Sequence, residues 1–287
     1  MTKLWTRRSS AMLAVGILIA ALVLSQMAMY EAHLLWGANM HRNLLDYCAG
    51  LFYRSSFLYY AIHIALNALV IYTLFRLIHT GLRQIMLDRT YGNRLSRLSA
   101  KHGADRLAVR FGHGANDLVV LEDERMVALT AGFGKPRIVL STGLIDLLDE
   151  RELQAVLAHE ASHRIHRDPL KLFVLRLISD AFGYIPLTRW AYRNYSILCE
   201  LTADEHAIAS TGSEAGLGGA MLKMLGRARS KPMFPAAAGF ADGSINYRLR
   251  QLVEPKPALP IRLDARSLAI SLSVLALLLG MIVLAGT

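Results

Sequence analysis

Residues 149–168 read D-E-R-E-L-Q-A-V-L-A-H-E-A-S-H-R-I-H-R-D, and within them His159-Glu160-Ala161-Ser162-His163 has the form H-E-x-x-H. Residues four apart on a helix share one face and lie roughly 6 Å apart along its axis. Two imidazoles at that spacing can converge on a single ion, the pattern of a zinc-hydrolase site. Glu160, beside the first histidine, is then placed to act as general base on the attacking water. Asp149 and Glu150 supply a cap and a first-turn acid for the helix, and Asp168-Pro169 is expected to end it.

A catalytic zinc takes three protein ligands and keeps one position open. His166 is too near His163 in sequence to close the opposite side of the ion. Glu200, in E-L-T-A-D, lies on a separate helical stretch and is the better third ligand. Asp204 shares its helix face, and its spacing suits a carboxylate that accepts a hydrogen bond from a liganding histidine. One zinc per chain is expected. Arg248, Tyr247 and His206 are the candidate donors to a reaction oxyanion. For Arg248 the alternative is an arginine that faces phospholipid.

Outward from the motif, short β-branched runs bounded by glycine and proline predict a small sheet: 107–110, 117–121, 126–130 and 137–141. A short helix follows Thr142-Gly143. Residues 170–187 read as an amphipathic helix interrupted by Lys171, Arg176 and Asp180, and 189–209 as one helix. Residues 229–244, K-P-M-F-P-A-A-A-G-F-A-D-G-S and its flanks, read as a loop that could cover the site.

The chain has 287 residues, 54% of them apolar, and a formal charge of +10. Three apolar runs, 12–29, 57–75 and 268–285, are each long enough to cross a hydrocarbon core of about 30 Å. The first is read as a retained anchor, with a cleaved signal peptide as the alternative. His63 and Asn67 share a face of the second run and are read as interhelical hydrogen-bonding groups. Lys3, Arg7 and Arg8 precede the first run, six basic residues between Arg76 and Lys101 follow the second, and Lys256, Arg262 and Arg266 precede the third. The loop at 30–56 carries only Arg42 and Arg54. The positive-inside rule therefore puts the N-terminus and residues 80–265 in the cytoplasm. The basic charge is assigned to topology and to anionic headgroups, since no nucleic-acid module accompanies it. Cys48 and Cys199 fall on opposite sides of the membrane and are not expected to pair.

The expected organisation is a membrane hairpin at 1–79, a domain carrying the H-E-x-x-H site at 80–265 and a last transmembrane helix at 266–287. From residue 118 to 252 the chain resembles the gluzincin membrane metallopeptidases, through R-I-V-L-S-T-G-L-I-D-L-L-D-E-R-E-L-Q-A-V-L-A-H-E-A-S-H-R-I-H-R-D and E-L-T-A-D-E-H-A-I. Two related groups share this pattern: the BlaR/MecR-type transducers and the HtpX and CAAX prenyl proteases. A-L-T-A-G-F-G-K-P-R-I-V-L-S-T-G-L and H-R-D-P-L look closer to the first. No penicillin-binding sensor domain follows the last apolar run, so β-lactam sensing is not carried over. R-L-R-Q-L at 248–252 is similar to an element of the second group.

The resemblance implies an α+β zincin-like (gluzincin) domain between transmembrane helices, in a mostly α-helical protein of the bacterial inner membrane. It implies His159, His163 and Glu200 as zinc ligands, Glu160 as base, and Asp204 and Asp168 behind the ligands, with Asp168 also stabilising the helix end. The expected activity is endopeptidase cleavage of a protein or peptide, in regulation or alternatively in HtpX-like quality control. A non-catalytic zinc-bearing sensor is the third reading, and intact Glu160 counts against it. Substrate is expected to add as a strand along 127–133 or 137–141. Lipid, protein substrate and a second copy of the chain are the expected partners; nucleic acid is not.

Overall fold

The computed structural model describes residues 2–36, 57–98, 107–112, 114, 116–227, 247–252, 254 and 262–284. The loop at 229–244 and Cys48 lie outside them. The described chain is mostly helical with one small sheet, and it divides into two compact units.

One unit comprises Met12–Leu82, Val174–Arg193 and Ile261–Thr287. Helices α1 (Thr2–Trp36) and α2 (Phe57–Leu98) contain the stretches Leu4–Ala32 and His63–Thr90, each long and apolar enough to cross a membrane by length and composition. Ala265–Leu284 is also helical and apolar. α2 has 42 residues, about 63 Å at 1.5 Å per residue. It runs on through the basic stretch after the apolar run, and Ile64, Ile71, Phe75, Ile78 and Met86 are exposed along it. Asn67 donates to the Tyr30 hydroxyl (3.0 Å), which lies 3.0 Å from His63 Nδ1. The polar pair in the second run thus bonds to the first helix, as expected of groups that must find partners away from water.

The other unit comprises Met1–Ala11, Arg83–Phe173 and Asn194–Pro260. Its sheet has the order β1-β3-β2, with β1 (Leu118–Leu121) parallel and β2 (Ala128–Ala131) antiparallel to β3 (Arg137–Ser141). The central strand is buried at four of its five residues. The run at 107–110, expected as a strand, is a helical turn. Phe111 N–H donates back to the Leu107 carbonyl, and Ala108 packs with Leu118 and Ile138 of the sheet without joining the ladder.

β3 leads directly into α3 (Thr142–Leu147), whose N-terminus is capped by Ser141. Gly143 is required there, because a Cβ would collide with the Glu124 carbonyl. α4 (Glu150–His166) opens with a capping box, in which Asp149 accepts from Glu152 N–H while the Glu152 carboxylate accepts from Asp149 N–H. Glu152 also takes Lys223 Nζ at 2.6 Å, from α7 (Glu214–Arg227). The apolar face of α4, Leu153, Val156, Leu157 and Ala161, packs on Leu118, Val120, Ile138 and Leu140 of the sheet. The remaining long helices are α5 (Asp168–Ala181) and α6 (Pro186–Thr211).

Asp168-Pro169 opens α5 instead of closing α4. α4 stops at His166, and Arg167 turns the chain in the left-handed region (φ 53°). A non-glycine residue there costs roughly 1 kcal/mol. Its effect is to swing Asp168 back beneath α4.

Candidate metal centre

His159 and His163, one turn apart on α4, point their Nε2 atoms at the same spot, 3.2 Å from each other. α6 brings Glu200 to that spot from another direction. Its Oε2 lies 3.4 Å from His159 Nε2, and its Oε1 lies 3.5 Å from His163 Nε2. All three residues are buried. Metal bonds of about 2.0–2.1 Å at a tetrahedral angle separate two ligand atoms by about 3.3–3.4 Å. The triangle of two imidazole nitrogens and a carboxylate oxygen therefore has the size a zinc ion requires, and the donor types suit it.

The opposite edges of both imidazoles meet carboxylates. His163 Nδ1 lies 2.8 Å from Asp168 Oδ2, and Tyr195 donates to the other Asp168 oxygen at 3.0 Å. His159 Nδ1 lies 2.9 Å from Asp204 Oδ1, a contact that is short but bent. A carboxylate at Nδ1 keeps the hydrogen on that nitrogen and leaves the Nε2 lone pair facing the triangle. Asp168, expected behind the ligands and at the helix end, sits against the candidate ligand His163. The αL turn at Arg167 is what puts it there.

Arg248 is committed to this cluster. Its Nε and Nη2 donate to the two Asp204 oxygens at 2.8 and 2.7 Å, and Nη1 lies 3.1 Å from Glu200 Oε2. Leu249 and Leu252 anchor the 247–252 segment against Ala155, Ala207, Leu217 and Met221. The guanidinium is therefore buried among acids, not facing lipid. Tyr247, beside it, is 40% exposed. His166 Nδ1 lies 2.9 Å from the Ser162 carbonyl of its own helix. His206 is half-buried, and its pKa is lowered by burial and by His166 and His159.

The electrostatics follow from burial of opposite charges. Burial and Arg248 both push His159 down, but Asp204 and Glu200 outweigh them and raise it to about 9. Burial opposes the charge on Glu200, yet Arg248 and the two histidines hold its carboxyl far below the usual range. Asp204 is lowered in the same way by Arg248 and His159 against its burial. Cys199, next to Glu200, is raised by burial and then by Asp168 and Glu200. It stays a protonated thiol within reach of the Ser196 carbonyl (3.1 Å), a buried and inert cysteine.

A pH prediction follows for the metal-free protein. The folded pKa of His159 lies above the ordinary 6.5, so its ion pairs stabilise fully below pH 6.5 and are lost as pH rises to about 9. A zinc ion held by His159 would have to displace the same proton. Its affinity should rise over that window by up to about tenfold per pH unit, with the proton released on binding. Calorimetry in buffers of different ionisation enthalpy checks this; proton-neutral uptake at pH 7.5 would contradict it.

Glu160, adjacent to the triangle, is 7% exposed. Thr130 of β2 contacts it twice, Oγ1 lying 2.8 Å from Glu160 Oε2 and 2.9 Å from the Glu160 carbonyl oxygen. Sequence reasoning identified neither Thr130 nor Tyr195. Thr130 sits 30 residues before Glu160, in a strand expected to meet substrate and not the base, and Tyr195 sits 27 residues after Asp168. Nothing local in either stretch marks a partner that far away.

The profile of Peptidase family M48 matches residues 94–194, about a third of the chain. The chain is 37% identical over 83 residues to a protein named "Protease HtpX homolog" from Acidiphilium cryptum, covering 28% of this chain and 29% of that protein. A protein of the same name from Aquifex aeolicus is 33% identical over 75 residues, covering 26% of this chain and 25% of the relative. One from Methanopyrus kandleri is 31% identical over 100 residues, covering 33% and 31%. The matched stretches thus span less than a third of each of these curated relatives.

Proposed function

We propose that this chain is an integral-membrane zinc endopeptidase with one zinc per chain, held by His159, His163 and Glu200. The observation that carries the reading is the three-donor triangle with edges of 3.2–3.5 Å, with the buried acid Glu160 next to His159 in the helix. Likeness to a peptidase family over residues 94–194 supports it. A zinc ion there would polarise the scissile carbonyl and lower the pKa of the attacking water. Glu160 takes the proton from that water and delivers it to the leaving amine. Asp168, with Tyr195 behind it, and Asp204 orient the two imidazoles. Arg248 fixes Glu200 and Asp204, which gives it a positioning role in place of the oxyanion role weighed for it. Tyr247 and His206 are the candidate oxyanion donors that stay.

The substrate chain adds to the sheet at β2. Of the two strands considered, β3 is paired on both sides, whereas β2 pairs with β3 alone among the described residues. Ser141 N–H bonds the Val127 carbonyl, so 127, 129 and 131 turn their backbone groups towards β3, while Ala128 and Thr130 turn theirs outward. Ala128→Pro deletes an outward N–H and spares the β2–β3 ladder. The expected result is loss of cleavage by at least about tenfold, the weight of one lost hydrogen bond of about 1.5 kcal/mol, with zinc content unchanged. Full activity would exclude this edge.

The HtpX name of the matched relatives favours quality-control cleavage of many membrane-associated chains over cleavage of one regulator, the role of the BlaR/MecR-type likeness. We place the peptidase unit on the cytoplasmic side of a bacterial inner membrane, from the distribution of basic residues. The test is zinc content per chain and hydrolysis of a casein-like substrate by the full chain in detergent. About one zinc with cleavage supports the reading; one zinc with no cleavage, across unrelated substrates and after detergent exchange, favours the zinc-bearing sensor.

A further inference from the structure

We propose that Thr130 is the positioning residue of the general base: its hydroxyl clamps the Glu160 side chain and ties it to the strand that receives the substrate. This rests on the peptidase reading above and adds a residue that no motif assigns.

The geometry gives one hydroxyl two partners on one residue. Thr130 Oγ1 lies 2.8 Å from Glu160 Oε2 and 2.9 Å from the Glu160 backbone oxygen. A hydroxyl has one hydrogen to donate and lone pairs to accept with. While Glu160 is a carboxylate, the hydroxyl hydrogen points at Oε2. Once Glu160 carries the proton taken from water, Oε2–H donates to Thr130 Oγ1, and the hydroxyl hydrogen turns to the backbone carbonyl. Both states are satisfied by rotation about one C–O bond, with no movement of heavy atoms. The proton itself passes from water to Glu160 to the leaving amine; Thr130 neither gains nor loses one. A base that is 7% exposed needs such a partner, since an unmet buried group costs about 1–3 kcal/mol.

The same residue faces the substrate. The Thr130 side chain reaches α4 from one face of β2, while its backbone N–H and carbonyl point out from the edge that pairs with no other strand among the described residues. A peptide pairing there would bond the main chain of the residue whose side chain holds the base. Valine matches the shape of threonine and lacks the hydroxyl; serine keeps the hydroxyl and loses a methyl.

The test uses zinc-loaded full-length protein in detergent with Thr130→Val, Thr130→Ser, Glu160→Gln and the Val/Gln double variant. Thr130→Val should lower kcat by about 10- to 100-fold, part of the 10²–10⁴ that a positioned base supplies, with KM and zinc content within about twofold. Thr130→Ser should recover most of the loss. A merely structural role would move zinc content or KM, or harm serine and valine alike, and any of these overturns the proposal.

A second arm does not depend on hydrolysis. A simple hydroxamate chelates the metal and yields its N–OH proton to a neighbouring base. Its affinity should fall by a similar factor in Thr130→Val and in Glu160→Gln, with no further fall in the double variant. Additive losses, or wild-type affinity in Thr130→Val, overturn it. Should wild type bind zinc and hydroxamate yet cleave nothing, the peptidase reading fails and this arm still decides Thr130.

Discussion

Replacing Glu160 by glutamine is expected to leave zinc in place and to lower peptide hydrolysis by about 10²–10⁴-fold. The two effects separate because Glu160 is not a corner of the donor triangle, which is complete with His159, His163 and Glu200. Glutamine keeps the side-chain shape and can still take a hydrogen bond from Thr130, so the fold should hold. What it cannot do is accept the proton of the attacking water. Metal analysis per chain beside a cleavage assay reads both. Wild-type cleavage by the glutamine variant would mean another group is the base, and zinc loss would mean Glu160 is part of the metal shell.

Arg248→Met should give the largest loss of stability. Arg248 is the fixed positive charge shared by Glu200 and Asp204, with its side chain 16% exposed and theirs 7% and 6%. Removing one partner of such a buried cluster leaves uncompensated charge and costs about 3–5 kcal/mol. For a domain of this size that is a fall in Tm on the order of 10 °C. The loss should be larger in metal-free than in zinc-loaded protein, because a bound cation supplies positive charge to the same carboxylates. Equal shifts in both forms would show that Arg248 acts by packing alone. Lysine at 248 should recover only part of the loss, since it cannot bridge two carboxylates with a planar fork.

Much of this was legible in the chain. The i, i+4 histidines, the acid between them, the cap Asp149 and the first-turn acid Glu150 are local facts of a helix, and helical geometry alone puts both imidazoles on one face; the capping-box partner Glu152 was not singled out. Glu200 and Asp204 were legible for the same reason, once a third donor from a second helix was required. The apolar runs likewise declare helices by length and composition. Local periodicity misled at 107–110, where the β-branched character of a four-residue run was too weak to choose strand over turn.

Other features belong to the tertiary structure alone. Asp168 was expected behind the ligands, but that it meets His163 follows from the left-handed turn at Arg167, a conformation no residue preference predicts for arginine. Arg248 left the lipid-facing role conceivable from sequence because Leu249 and Leu252 seat its segment against α4, α6 and α7, next to two carboxylates in need of a cation. Thr130 meets Glu160 because β2 is the antiparallel edge of the sheet that α4 covers. Sequence determines contacts that lie within a turn or two of helix, where geometry is fixed by the backbone. Contacts between segments tens of residues apart are decided by packing, which the chain acquires only on folding.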